Sequence, residues 1–436
     1  MARVLLLSAK TSYRTEEFAR AAERLGVEAT LGTDRCRRLA TIWDREAFGS
    51  IELPLAEVSR AAARIVAEAR ATPWDAIVAS DDMTAEVAAL AARALGLVGN
   101  DPEAARRARN KRLLREALAA GGVPQPRQFV FDENDEPARI AVEVEAQLGW
   151  PVVLKPLLCS ASRGVIRADD RASFEAAWRR IAALLRTPAL RAVDDPDGHR
   201  IAVEEFVPGP EVAVEGLLTR GAFTLLAIFD KPDPLDGPFF EETIYTTPSR
   251  HPPAVQEAIV RTTAAAARAL GLVDGPIHAE LRLGAPRSAA QASAPTIIEV
   301  AARSIGGLCA RTLRFGLGAQ SLEELVILAA LGRPIDALVG EAAARAPAGV
   351  MMIPIPKGGV FQAVDGIEAA RAVPLVEDVV VTARPGQVLV PLPEGQSYLG
   401  FVFARGGEGP AAVEAALRAA HACLRFEVTP TLTPAR

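Results

Sequence analysis

Val152-Val153-Leu154-Lys155-Pro156-Leu157-Leu158-Cys159-Ser160-Ala161-Ser162-Arg163-Gly164-Val165 contains an apolar strand that abruptly presents a lysine and then stops at a proline. A lysine that deep in a strand needs an anion. The following turn is rich in hydroxyls and holds a permissive glycine, so its backbone N–H groups and serines can cradle phosphate. It is not a Walker loop, because GxxxxGK[ST] is absent, and no Gly-x-Gly-x-x-Gly turn follows the first strand.

Downstream, Val203-Glu204-Glu205-Phe206-Val207-Pro208-Gly209-Pro210-Glu211-Val212-Ala213-Val214-Glu215 reads as two strands joined at a Pro-Gly-Pro corner. Backbone groups from Glu204 to Val207 are expected to be unpaired at that bend and free to read an adenine edge, with Glu211 placed to accept from ribose hydroxyls. A surface hairpin with solvated glutamates is the plainer reading of the same residues. Farther on, His278-Ala279-Glu280 puts His278 and Glu280 on one side of a strand, and Glu299 lies on another strand that leads into Ala301-Ala302-Arg303-Ser304-Ile305-Gly306-Gly307. Paired carboxylates suit magnesium, which takes one or two of them plus substrate phosphates. Arg303, beside a Gly-Gly turn, can reach a transferring phosphoryl group.

Upstream, the first part of the chain alternates strand and helix: Val4–Leu7, Glu16–Leu25, Val27–Leu31, Ala56–Ala71 and Ala76–Ala79. That order predicts a parallel α/β sheet. Ligands of such sheets collect beyond the strand carboxyl ends, which singles out Ser80, Asp81 and Asp82, although one of these can simply cap the next helix. One helix from about Pro102 to Ala120 is expected to carry Asn110 and Lys111 and to stop at Gly121-Gly122. The strands Val152–Lys155, Ile201–Phe206, Glu211–Leu218, Thr224–Phe229, Ile277–Leu283 and Thr296–Val300 predict a mostly antiparallel α+β middle, with residues 284–295 as a hairpin connection. The proline-broken loop from Asp230 through Glu242 could close over substrate or lie in solvent. Beyond Pro334, strands at Met351–Pro356, Val379–Ala383 and Val388–Leu392 and helices at Ile367–Ala372 and Ala411–Leu424 predict a small α+β domain.

Composition narrows the function. The chain has 436 residues, enough for about three domains, with 49 basic and 54 acidic residues and a formal charge of −5. That balance lacks the basic footprint of a nucleic-acid or anionic-membrane binder. Cys36, Cys159, Cys309 and Cys423 form no CxxC pair and read as buried free thiols, which fits a reducing cytoplasm. The run Val4-Leu5-Leu6-Leu7 is too short for a signal core, and no apolar stretch reaches a membrane-spanning length.

Taken in order, these features resemble the ATP-grasp superfamily, and more closely its carboxylate-amine ligases, among them the bacterial L-amino acid ligases that make dipeptides. The likeness rests on Asn110-Lys111, Leu154-Lys155-Pro156, the Ser160–Val165 loop, the Glu204–Glu211 bend, His278-Ala279-Glu280, Glu299–Arg303 and Ser397-Tyr398-Leu399-Gly400-Phe401. It implies a Rossmann-like N-terminal domain over residues 1–101, an ATP-grasp domain over 102–335 with a lid at about 124–207, and a C-terminal α+β domain over 336–436. It further implies that Lys111 and Lys155 bind ATP phosphates beneath Ser160, Ser162 and Gly164, with Lys155 also serving the transfer. Glu204 and Val207 would meet adenine through backbone groups, and Glu211 the ribose. Glu280 and Glu299 would hold Mg2+, or Mn2+ in its place, Arg303 would stabilise the transferring phosphate, and Asp82, His278, Arg303 and Gly306 would bound the substrate pocket.

The resemblance implies small-molecule carboxylate and amine partners, no nucleic acid and no membrane, in a cytoplasmic protein that could form a homodimer. One departure stands out: Ala301 occupies the place where many relatives have a metal-binding asparagine. A biotin-carboxylase-like bicarbonate-activating enzyme and a non-catalytic ATP-binding protein are the competing readings.

Overall fold

The computed structural model describes residues 1–9, 12–34, 49–284, 295–340 and 346–431. Cys36 and most of the expected hairpin connection at 284–295 lie outside the described residues. The chain begins with β1 (Arg3–Leu7), β2 (Glu28–Thr33), β3 (Gly49–Glu52) and β4 (Ala76–Ala79), which form a sheet in the order β3-β2-β1-β4 with every pair parallel. Only β3 was unexpected, since Gly-Ser-Ile-Glu carries no apolar alternation. At the end of β4 the aspartates divide their work. Asp81 caps the helix Asp82–Leu95, accepting from the Thr84 amide at 3.2 Å and from the Ala9 amide at 2.8 Å. Asp82 is left with its carboxylate free for other partners.

The single helix expected over residues 102–120 is two helices, Pro102–Arg109 and Lys111–Ala120. Asn110 breaks them: its backbone is extended, and its side-chain oxygen accepts from the amides of Arg112 at 3.0 Å and Leu113 at 3.3 Å. An asparagine offers the following amides the acceptor that a continuous helix would otherwise supply, so the break costs little. Lys111 thereby becomes the first residue of the second helix, where its amide donates to the Leu157 carbonyl at 3.2 Å.

The segment expected as a lid forms a sheet of its own, built from β5 (Gln128–Asp132), β6 (Val152–Pro156), β7 (Ile166–Ala168) and β8 (Arg200–Glu205), in the antiparallel order β5-β8-β6-β7. The helices Pro137–Gln147 and Arg171–Leu185 cover it, with Phe174 and Trp178 packed on Leu154, Ile201 and Val203. The remaining strands are β9 (Glu211–Thr219), β10 (Ala222–Asp230), β11 (Ile244–Thr247), β12 (Gly275–Arg282), β13 (Thr296–Ala301), β14 (Ala348–Ile353), β15 (Gly359–Asp365), β16 (Val376–Val381), β17 (Val388–Leu389), β18 (Gly400–Arg405) and β19 (Arg425–Thr429). Eight of them make one antiparallel sheet, β13-β12-β9-β10-β11-β14-β18-β16. The central sheet therefore runs on into the C-terminal segment, and only β17-β15-β19 form a sheet of their own there. The reason is that β11 is buried along its whole length and needs a second neighbour, which β14 supplies. One core joins Phe18 near the N-terminus, Phe229 of β10 and Phe401 of β18.

The lid meets the central sheet at a buried charge cluster. The Arg115 guanidinium donates to both oxygens of Glu204 at 2.9 and 3.1 Å, and also to the carbonyls of Ile297 at 3.2 Å and Ile298 at 2.7 Å on β13. Lys155 on β6 approaches the same carboxylate at 2.5 Å, and the Gln128 amide of β5 donates to it at 2.8 Å. Burial works against ionisation of Glu204, but Arg115 and then Lys155 outweigh it and bring its pKa down to about 2 from an ordinary 4.5. Burial also holds the Lys155 ammonium below the usual lysine value, with Glu204 only partly compensating.

Because the folded-state pKa of Glu204 is depressed, its stabilisation is full above about pH 4.5 and is lost as the pH falls toward 2. Glu204→Gln is expected to be less stable than the parent at pH 7 by on the order of 3 kcal/mol. The gap should narrow as the pH falls below 4.5. Denaturant titrations of both proteins at pH 7 and pH 3 check this, and a gap independent of pH would show that Glu204 does not carry that ionic load.

Candidate active site

Where the carboxyl ends of β1 and β4, the inner face of the lid and the central sheet converge there is a cavity of about 250 Å³. Asp82, Lys111, Lys155, Ser160, Ser162, Glu204, Val207, Glu211, His278, Glu280, Glu299, Arg303 and Gly306 all line it. Gly164 does not. It backs onto Pro156 with φ +74, where a Cβ would come within 2.7 Å of the proline ring, and its amide donates to the Pro393 carbonyl at 2.6 Å. Ala161 and Ser162 share its left-handed backbone, at φ 55 and 54, conformations that non-glycine residues keep only under constraint.

Beside that loop, Lys111 Nζ donates to the Cys159 carbonyl at 2.5 Å and stands 3.9 Å from Glu299. The bend after β8 differs from expectation. Glu204 lies within the ladder, opposite Gln128 on β5 and Val153 on β6, so its backbone is not at an open corner, and its carboxylate is engaged by Arg115 and Lys155. Val207 lies past the ladder, and its carbonyl accepts from Arg282 at 3.2 Å. Phe206 and Phe240 flank this end of the cavity.

Glu211 also has protein partners: Lys231 at 2.7 Å and the Arg282 Nε at 2.8 Å. Lys231 is the centre of an acidic cluster, reaching Glu242 and, at 3.2 Å, Glu280, while lying 5.0 Å over the Tyr245 ring. Burial disfavours this ammonium, but Glu211, Glu242 and Glu280 overcome the penalty and hold its pKa well above the ordinary value. Burial raises Glu242 to about 7, only partly offset by Lys231, and the Tyr245 hydroxyl donates to it at 2.7 Å. His278 bridges Glu215, at 2.8 Å from Nδ1, and Glu280, at 3.5 Å from Nε2.

Glu280 and Glu299 are direct register partners across β12 and β13, and Ala301 is the partner of His278. Glu211, Glu242 and Glu280 each place a carboxylate oxygen within 4.8 Å of the others. Lys231 already fills the space among these three. Glu280 and Glu299, facing each other across the two strands with Glu299 still partly open, offer the paired hard oxygen donors that suit a divalent cation.

Arg303 closes a planar fork on Asp82, with contacts of 3.1 and 3.0 Å, and donates its remaining nitrogen to the Ser304 carbonyl at 3.1 Å. Against burial, Asp82 pushes the guanidinium pKa higher still, and Arg303 in turn holds Asp82 below the ordinary carboxylate value. Gly306 is exposed, with open space where a side chain would begin. Of the cysteines, Cys309 is buried as expected, whereas Cys159 and Cys423 are half-exposed, and all three are free thiols.

Arg14 and Arg115 were not among the residues expected at the site, and Lys231 and Glu242 were expected only as parts of the loop that could close over substrate or lie in solvent. Arg14 is buried against Ser304, the Ile305 carbonyl at 2.9 Å and Glu323 at 2.6 Å. Lys231 had a visible signal, since Phe229-Asp230-Lys231-Pro232 repeats the pattern of a strand ending in Lys-Pro seen at Lys155.

Residues 19–99 match the ATP-grasp N-terminal domain family, residues 148–312 the ATP-grasp domain family, and residues 351–429 the family of L-amino acid ligase C-terminal domain 2. The alanine-anticapsin ligase of Bacillus subtilis strain 168 is 27% identical over 274 residues, covering 60% of this chain and 55% of that protein. The chain thus spans about half the length of that relative. The crystal structure of an L-amino acid ligase from Bacillus licheniformis superposes with a TM-score of 0.79 at 26% identity, covering 98% of this chain and 99% of that one. A β,γ-ATP complex of biotin carboxylase from Campylobacter jejuni, at TM-score 0.67 and 16% identity over 98% of this chain and 92% of that one, shares the fold alone. No helix among the described residues is long and apolar enough to cross a membrane. With an ATP-grasp N-terminal domain, an ATP-grasp domain and an L-amino acid ligase C-terminal domain in succession, the chain is an ATP-grasp protein of the L-amino-acid-ligase-like kind.

Proposed function

We propose that the chain is an ADP-forming carboxylate-amine ligase that activates an acid as its acyl phosphate and joins it to an amine, with an amino acid as at least one substrate. The observation that carries this reading is the convergence of Lys111, Lys155, Arg303, Glu280 and Glu299 on one cavity beneath the Ser160–Gly164 loop. The C-terminal match to L-amino acid ligases favours it over a bicarbonate-activating enzyme. The working units are residues 1–101, 102–335 and 336–436, in a cytoplasmic protein.

A carboxylate is a poor electrophile because its oxygen leaves badly, and phosphorylation makes phosphate the leaving group. In-line transfer spreads negative charge over the moving phosphoryl group. Lys111 and Lys155 supply positive charge on one side, and Arg303, held by Asp82, supplies it on the other. Glu280 and Glu299 would hold Mg2+, which when bound neutralises phosphate charge, and Mn2+ would substitute for it. Ser160 and Ser162 close over the phosphates and keep water from the activated acid. Glu211 and Val207 face the nucleoside, and His278 and Gly306 bound the amino-acid pocket.

Spent nucleotide should be ADP with phosphate, in step with amide formation. Chromatography of the reaction checks it, and stoichiometric AMP would remove the acyl-phosphate route. Glu299→Gln keeps shape while removing one carboxylate charge, so it should cut turnover by about 100-fold with little loss of thermal stability. A variant with parental turnover across a magnesium titration would make Glu299 an ordinary strand residue.

Arg303→Lys keeps the charge but loses the two-pronged grip on Asp82 and on oxygen pairs generally. It should bind ATP nearly as the parent does and lose kcat equivalent to about 2 to 4 kcal/mol. Calorimetric ATP affinity and steady-state turnover on one preparation decide, and unchanged turnover would end the catalytic assignment.

A further inference from the structure

We propose that the segment Pro393–Tyr398 is a strap that positions the phosphate loop, with Glu394 as its positioning residue; this rests on the ligase reading above and adds the means by which the loop is kept shut. At one end the strap grips the lid. The Gly164 amide donates to the Pro393 carbonyl at 2.6 Å, and Arg163 Nε donates to the Glu394 carbonyl at 2.9 Å. Arg180, on the lid helix Arg171–Leu185, forks onto both oxygens of the Glu394 carboxylate, the second contact at 2.9 Å, and lies over the Phe239 ring at 5.1 Å.

At its other end the strap grips the N-terminal unit. The Tyr398 amide donates to the Tyr13 hydroxyl at 3.1 Å, and the Tyr13 ring packs edge-on against Phe401 of β18 with centroids 5.4 Å apart. Gln396, between the two grips, and Tyr398 line the cavity wall. The turn itself has little freedom, since the Gly395 amide donates to the Pro391 carbonyl at 2.9 Å and a Cβ at Gly395 would sit 1.9 Å from the Val390 carbonyl oxygen.

The phosphate loop needs such an external hold. Ala161 and Ser162 keep left-handed backbone, which survives only where the surroundings over-determine it. Two contacts from the strap reach Arg163 and Gly164, directly after that kink, and a third, through Arg180, holds the helix behind them. The strap therefore keeps the loop over the phosphates while the activated acid waits for its amine. With the loop loosened, a water oxygen takes the place of the amine nitrogen at the acyl carbon, the bond from that carbon to the phosphate oxygen breaks, phosphate leaves, and the free carboxylate returns with a proton lost to solvent. ADP is then made without amide.

The test uses the full-length protein with charge reversal at one contact and steric displacement at another: Arg180→Glu, Glu394→Arg, the double reversal, and Gly395→Ala. Arg180 and Glu394 are exposed enough to tolerate reversal, at 45% and 35% of side-chain area. The readouts are the ADP-to-amide ratio with any productive substrate pair, MgATP affinity by calorimetry and thermal unfolding. Each single reversal should raise the ratio by about 2- to 5-fold, the scale of an exposed ion pair, and the double reversal should bring it back toward the parent. Gly395→Ala should raise the ratio further and weaken MgATP binding without changing the unfolding midpoint of the central sheet.

Parental ratios and affinities in the single reversals and Gly395→Ala, or a double reversal worse than either single, would overturn the strap. Should Gly395→Ala fail to fold, the reversal series decides alone. If the parent makes no amide from any pair, it is the ligase reading that falls. The strap is then judged on MgATP affinity, where unchanged binding in every variant overturns it.

Discussion

A single carboxylate, Glu204, holds the machine together. A charge with so little access to water must be met by opposite charge or be lost, and Glu204 is met from two elements at once. Arg115 brings the helix Lys111–Ala120 and the carbonyls of β13, while Lys155 brings β6. The two lysines assigned to the phosphates thus have a fixed mutual placement, because each belongs to an element tied through the same glutamate. Removing Glu204 leaves two buried cations without their counterpart, which is why this one carboxylate constrains everything built around it.

The cavity repeats that logic. Lys155 faces Glu204, Arg303 faces Asp82, His278 faces Glu215, and Lys231 sits among Glu211, Glu242 and Glu280. Each cation suited to a phosphate already has an acidic neighbour, so the cavity can hold much charge of both signs without a large unbalanced field. A polyanion arriving with a divalent cation would bring its own compensation into a site that is already paired, and would need to share lysines and arginines rather than find them bare. Asp82 has a further part here, since it aligns the Arg303 guanidinium before any ligand is present.

Much of this was legible in the sequence where the signal was local. The apolar runs ending at Lys155 and carrying His278 and Glu280 predicted strands, and strands they are. The parallel order of the first unit followed from strand and helix alternation. Other features depended on choices that local pattern does not record. Asn110 sits in a stretch whose apolar spacing suits one helix, yet its side chain competes for the next amides and splits it. Arg115 lies 89 positions from Glu204, and Lys231 and Arg282 lie 20 and 71 positions from Glu211; nothing in a glutamate near a bend says that an arginine will find it. The passage of β14, β18 and β16 into the central sheet was hidden for the same reason, because an apolar strand does not announce its neighbour.

The continuity of that sheet has a consequence for how the chain can be divided. A fragment ending at residue 335 would keep every strand from β9 to β13 but would strip β11 of the partner that pairs with Ile244 through Thr247. Four residues buried on both sides would then present a row of unsatisfied amides and carbonyls to solvent. A bare apolar edge of this kind recruits strands from other molecules. The C-terminal segment is thus the seal on the sheet's edge, and its removal would produce a sticky protein before it produced an inactive one.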